Sequence, residues 1–336
     1  MNKNSLDLLR LLASTMVLFS HQFALMGLSE PQFMGWNTWG GAGVTIFFFL
    51  SGWLVWASWE RDPHAWRFFL RRSLRIFPGL WVVCLLSIFL LGPLVTTLSL
   101  SDYFGSAVTW RYFWTALFLT PYVLPGVFVG NAMPGIVNGS LWTLPVEYFC
   151  YITVAVIGAV AVFWPKGKAS LLSVGLLCAV LFTHYGVLLI GERYSLYFEM
   201  VAMFWWGVFY GHCLKSPPNM SARALAMVAL VLFVAMGPRG LERSAMLVCA
   251  AALVHWGRQV AIGAKLTDRL GDLSYGVYIY AFPIQQLVIG WGRGRQIPFG
   301  ALLVMSLLLT WGFAYLSWHV VEARALRFKP MSRGNR

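Results

Sequence analysis

Apolar positions in this chain do not alternate with polar ones at the period of a half-buried strand; they run on for about twenty residues at a time, with the polar residues gathered between the runs. Such windows fall at 6–27, 41–59, 74–95, 141–163, 170–190, 196–214, 223–238, 241–257, 273–291 and 299–321. A helix satisfies its own backbone over that length in hydrocarbon, so the pattern predicts an all-α, polytopic membrane protein of about ten transmembrane helices. The stretch 112–129, YFWTALFLTPYVLPGVFV, is also apolar, but Pro121 and Pro125 break its helical pattern before it is long enough to cross. It is expected to be a short or re-entrant segment.

Composition agrees: 59% of the residues are hydrophobic and only 11% charged, with a mean hydropathy of +0.69. The 25 Lys and Arg against 12 Asp and Glu would suit nucleic acid, but their placement gives another reason. With ten spans and a cytoplasmic N-terminus, 18 of the 25 cations fall on the cytoplasmic side, six fall outside, and Arg10 lies within the first span. Counting 112–129 as a crossing would reverse every later loop and place the basic 258–269 loop outside. The expectation is therefore that both termini are cytoplasmic, with the lipid bilayer as partner and no nucleic acid. Residues 1–323 read as one membrane domain and 324–336 as a short basic cytoplasmic tail. Asp7 and Arg10 interrupt the signal-like N-terminus, which is expected to stay as the first span. The five cysteines lie inside apolar stretches without a CxxC pair and read as packing residues.

An ionisable side chain within a span costs roughly 2.5 to 3.5 kcal/mol and usually faces a cavity or a partner. Arg10 and His21 are such residues in LDLLRLLASTMVLFSHQFALMG. Eleven positions at about 100° each come within about 20° of three turns, so the two side chains share a face, about 16 Å apart along the axis. Glu147, in GSLWTLPVEYFCYI, is expected near the depth of His21, where it could orient the imidazole. Its alternative role is a carboxylate paired with a structural arginine. Arg71, Arg72 and Arg75 in RRSLRIFP gather at the cytoplasmic end of the third span, and guanidinium forks match phosphate oxygens; alone, the cluster would mean anchoring to anionic lipid.

These features, in this order, resemble the acyltransferase-3 family of integral membrane acyltransferases. Its first-helix motif matches Arg10 to His21, and VTIFFFLSGWLV (44–55), RRSLRIFP (71–78), SLWTLPVE (140–147), GDLSYGVYIYAFP (271–283) and Val320 to Glu322 follow its pattern. The resemblance implies O-acyl transfer, most often O-acetyl transfer, from cytoplasmic acyl-CoA to a hydroxyl of a cell-envelope carbohydrate, in some cases lipid-linked, at a bacterial cytoplasmic membrane. It assigns His21 as catalytic base, places Arg10 in the same motif, matches Arg72 with Arg75 to an Arg-x-x-Arg donor-side motif, and makes Glu147 the carboxylate after the tryptophan motif. The chain departs from the pattern at Thr45, where many members have an acid, and at Ala281, where many have His. Some members carry a fused hydrolase-like domain, for which these spans leave no room.

The pantetheine arm of acyl-CoA is of the same order as the helical rise from Arg10 to His21, so donor phosphates at the arginines would bring a thioester to the imidazole. Direct transfer and a transient acyl-histidine both fit. Trp142, Tyr148 and Tyr275 are candidates for the acceptor side, since aromatic rings suit sugar C–H faces. A transporter or flippase of envelope glycans also uses intramembrane Arg, His and Glu, but would show a paired repeat, and none is present. His184 with His21 would suit a cytochrome, while His64, His212, His255 and His319 read as interfacial. No zinc spacing, P-loop or GxSxG motif occurs, and no metal is expected.

Overall fold

A computed structural model describes residues 5–35, 37–118, 121–191, 195–235 and 239–330. Lys3, Arg193, Arg333 and Arg336, four of the cations used for the topology, and the end of the basic tail lie outside the described residues. Each apolar window is occupied by a helix: α1 Leu6–Leu25, α2 Trp39–Arg61, α3 Ala65–Leu86, α4 Thr143–Phe163, α5 Lys168–Ile190, α6 Ser195–Cys213, α7 Met220–Ala235, α8 Gly240–Gln259, α9 Ser274–Gly292 and α10 Phe299–Ser317. The chain is thus an all-α membrane protein with one two-residue hairpin, β1 Gln32–Phe33 on β2 Asn37–Thr38.

The expected number of crossings is not met by length and apolarity alone. Six helical stretches pass that test, and a seventh does if α8 and Ala264–Leu270, bent by 85°, count as one. α7 falls short because it has 16 residues. α9 falls short for a different reason: Tyr275, Tyr278, Tyr280, Gln285 and Gln286 lower its apolarity, and all five are buried against protein. A helix enclosed by other helices can carry polar groups that a lipid-facing one cannot.

The core seam joins α2 to α6. A Cβ at Gly52 would stand 1.9 Å from the carbonyl oxygen of Phe204, and one at Gly207 would stand 1.9 Å from that of Phe49. Reciprocal glycines let the two backbones touch, as small residues do between membrane helices. α1 packs between α2 and α9, so its Arg10–His21 face looks into the bundle.

Beyond α3 a π-helical stretch, Ser87–Leu91, carries the helix on to Val95, and Tyr103 donates from its hydroxyl to the Ile88 carbonyl at 3.0 Å. Short helices then run back along α3, bringing Phe113 to 6.4 Å from Trp81 and Phe118 to 5.1 Å from Phe77, between ring centroids. The chain returns to where it started: Thr96 Oγ1 donates to Pro125 O at 2.9 Å and Thr97 N to Gly126 O at 2.9 Å. Residues 100–118 and 121–126 therefore leave and rejoin the same end of α3.

Candidate active site

At one end of the bundle α1, α3 and the turn before α9 bring cations together. Arg10 and Arg75 each donate to Asp272 Oδ2 at 2.6 Å, and Ser274 donates to Oδ1 at 2.6 Å. Burial raises the Asp272 carboxyl, but Arg10 and Arg75 outweigh it and hold the group at about 2. Arg75 also lies 3.5 Å from Glu322, whose other oxygen accepts from Ser317 at 2.9 Å. Arg67 and Arg71 share Asp62, Arg71 at 2.7 Å. Those bonds, Arg67's first, hold Asp62 well below the usual carboxylate range.

Arg72 differs from its neighbours. Its guanidinium carbon lies 6.0 Å from the centre of the Phe68 ring and 5.8 Å from that of Tyr151, yet among the described residues it has no carboxylate partner and its buried Nε has no hydrogen bond. Two guanidiniums share one carboxylate at Asp62 and Arg72 has no ion pair among the described residues, which leaves this end electropositive. Lys329 adds to it; partial burial, then Arg75 and Arg72, lower its amine to about 8.

Arg71, Arg72, Arg75, Lys329 and Asp272 line a cavity with about 910 Å³ of empty space. A second lobe of about 510 Å³ continues from it, sharing Arg10, Phe47, Glu147 and Tyr275 and ending at Thr143 and Tyr278. Glu147 stands between the two, accepting from Ser51 at 2.8 Å and from the Tyr151 hydroxyl at 2.6 Å. The Tyr275 hydroxyl donates to Ile76 O at 2.7 Å while its ring lies 5.5 Å from Arg75.

His21 lies just beyond the second lobe. Tyr278 places its hydroxyl 2.6 Å from Thr143 Oγ1 and donates to the Ser140 carbonyl at 2.5 Å; Ser140 Oγ is 3.4 Å from His21 Nδ1. The imidazole meets the edge of Phe282 at 5.7 Å between centroids, so it faces protein. Hydroxyls of Thr143, Tyr278 and Ser140 thus separate the cavity from the ring. The 3₁₀ turn Gly139–Trp142, leading into α4, positions Ser140, and its backbone is held by Tyr278.

The structure brings Arg10, Arg71, Arg72, Arg75, Glu147 and Tyr275 to one cavity. It does not pair Glu147 with His21; the carboxylate is taken by Ser51 and Tyr151, and the imidazole has Ser140 instead. Tyr275 sits at the arginine end rather than beside His21. Trp142 packs on Tyr197 at 4.6 Å between centroids, and Tyr148 is enclosed by Phe69, Phe77, Phe118 and Tyr151, its hydroxyl 3.3 Å from Ser73 Oγ; neither lines the two lobes. His184 stands on α5, which packs on α6 and α7, whereas the helix of His21 packs on α2 and α9. Asp272, Ser140, Thr143 and Tyr278 escape a reading by single residues. Their signal is position: all four stand in the segments 140–147 and 271–283, which meet here. Among the described residues, no three His, Cys, Asp or Glu side chains are placed to hold a metal ion.

Comparison with known proteins agrees with this picture. The model of the acyltransferase-3 family, described as an acyltransferase domain, matches residues 3–318. An O-acetyl transferase of Shigella phage Sf6 is 29% identical over 336 residues, covering 96% of each chain. Nodulation protein 10 of Rhizobium leguminosarum bv. viciae is 29% identical over 360 residues, covering 98% of this chain and 94% of its own. No solved structure matches at a significant level.

Proposed function

The chain belongs to the acyltransferase-3 family, and from that premise we propose that it moves an acyl group, acetyl first, from acyl-CoA on the cytoplasmic side to a sugar hydroxyl on the far side of a bacterial cytoplasmic membrane. The reading carries ten crossings with both termini cytoplasmic, which puts the arginine end in the cytosol. The observation that carries it is Arg72: a guanidinium in a cavity wall with no ion pair among the described residues, at the start of a passage that ends beside His21.

The donor's phosphates bind Arg72, with Arg71, Arg75 and Lys329 around them, as bidentate forks suit phosphate oxygens. The arm passes Glu147 and Tyr275, and the thioester reaches the Thr143–Tyr278 pair, which parts to admit it. With Nδ1 engaged by Ser140, Nε2 of His21 is the nitrogen that takes the acceptor's proton. The sugar oxygen forms its bond to the acyl carbon, the C–S bond breaks, and the proton passes to the thiolate, releasing CoA as thiol. General-base assistance of this kind contributes about 10²- to 10⁴-fold. Arg10 acts through Asp272, holding α1 against α3 and α9. The test is a titration of acetyl-CoA into purified protein: wild type binds, Arg72→Gln binds much more weakly, and equal binding by the two would remove the donor site.

A further inference from the structure

A separate groove opens at the opposite end of the bundle and shares no lining residue with the two lobes described above. It has about 910 Å³ of empty space, and Leu25, Met26, Asn131, Arg293 and Gln296 frame it. Leu25 follows His21 by one helical turn on the same face, about 6 Å along the axis. The groove therefore stands over the imidazole on the side away from the arginines.

Its wall is built for a charged, hydroxylated ligand. The Arg293 guanidinium folds over Gly130, its Nη1 lying 1.8 Å from where a Cβ would stand. The Arg293 backbone N–H donates to the Gly290 carbonyl at 3.4 Å, but among the described residues the Arg293 guanidinium has no hydrogen bond, ion pair or ring contact. Its neighbour Arg295 is committed, lying 4.8 Å from the centre of the Trp291 ring and donating to the Trp291 carbonyl. Asn131 spends its amide nitrogen on Gln286, 2.7 Å from Oε1 and 2.9 Å from the carbonyl, which leaves its own side-chain oxygen, beside Gly290, as an acceptor without a hydrogen bond among the described residues. Gln286 in turn donates to Met133 O at 2.9 Å and Ile136 O at 3.0 Å, pinning the connector to α9 and making the floor firm. A free guanidinium fork beside a hydroxyl acceptor on a rigid floor matches a carbohydrate that carries an anion.

We infer that this groove is the acceptor subsite, that it takes an anionic carbohydrate, and that Arg293 holds the anion. The assignment rests on the reading of His21 as the point of transfer. The anion is either the carboxylate of an acidic sugar or the phosphate that ties a glycan to lipid; both offer paired oxygens to a guanidinium.

The test uses the full chain in nanodiscs, titrated calorimetrically with tetragalacturonate, its neutral methyl ester and glucose 1-phosphate, for wild type and Arg293→Gln. At least one charged probe binds wild type, less tightly as salt rises, and the substitution weakens it by about ten- to a hundredfold. The ester binds both proteins equally weakly. A preference for tetragalacturonate identifies a sugar carboxylate and a preference for glucose 1-phosphate identifies the phosphate. Failure of both charged probes, an ester that binds as tightly as the acid, or an unchanged affinity in Arg293→Gln overturns the assignment. Acetyl-CoA is titrated into the same samples: if it does not bind while the charged probes do, the donor reading fails and the groove stands, and the reverse result separates the two the other way.

Discussion

The guanidinium of Arg10 stands 2.6 Å from Oδ2 of Asp272, joining positions 262 apart in the chain. The same oxygen takes Arg75 at 2.6 Å, so one carboxylate ties α1, α3 and the start of α9 into the end of the cavity. Removing it would leave Arg10 only the more distant Asp7 at 3.9 Å and Arg75 only Glu322 at 3.5 Å, and breaking a buried pair costs about 3 to 5 kcal/mol.

Asp272→Asn is accordingly expected to lower stability by about 3 kcal/mol, seen as an earlier thermal transition in detergent. The pH dependence has a definite sign. The folded carboxyl is depressed to about 2 from 3.8, so its contribution is complete above the higher value and fades as pH falls through the lower one. Wild type should lose this increment in acid, and Asp272→Asn should show no such loss.

Arg72→Gln separates binding from folding. Arg72 makes ring contacts but no ion pair among the described residues, so the melting transition of the variant should stay close to that of wild type. Acetyl-CoA affinity should fall by about tenfold or more, the worth of a charged hydrogen bond. A calorimetric titration beside a melting curve checks both.

His21→Ala should leave a protein that inserts and melts like wild type and binds acetyl-CoA normally. Transfer should drop by at least about a hundredfold. Near-normal transfer measured by CoA release would remove the base assignment.

Ser140→Ala tests how the imidazole is held. Ser140 Oγ is the polar partner of Nδ1, and without it the ring loses its fixed tautomer. The expected result is a fall in kcat of about tenfold with the KM for acetyl-CoA unchanged.

If acetyl-CoA binds at the arginine end as proposed, Lys329 should set an upper pH limit on that binding. Its amine, lowered to about 8, is charged at neutral pH and loses the charge as pH rises through that value. Acetyl-CoA affinity should hold at neutral pH and decline above it. Lys329→Arg, which keeps its charge, should remove the decline.

Much of this was legible in the chain. The ten apolar windows each became a helix, and the prolines at 121 and 125 correctly marked 112–129 as a stretch that does not run through as one helix. The spacing of Arg10 and His21 placed them on one face of α1, and Arg71, Arg72 and Arg75 were recognisable as a cluster. The count of crossings was less secure, because a hydropathy reading treats every span as facing lipid, and α9 is walled in by protein and carries tyrosines and glutamines.

Sequence by itself determined the material of this protein: long apolar helices, a basic side, and the few ionisable groups worth keeping in hydrocarbon, since each of these follows from the local cost of exposing backbone or charge to lipid. Only the tertiary structure decided which groups are neutralised and which are left over. Arg10 and Arg75 are spent on Asp272, Glu147 on Ser51 and Tyr151, and His21 turns to Ser140. Those partners lie on different helices, and hydrogen bonds reach only about 3 Å, so no spacing along one strand of sequence can assign them.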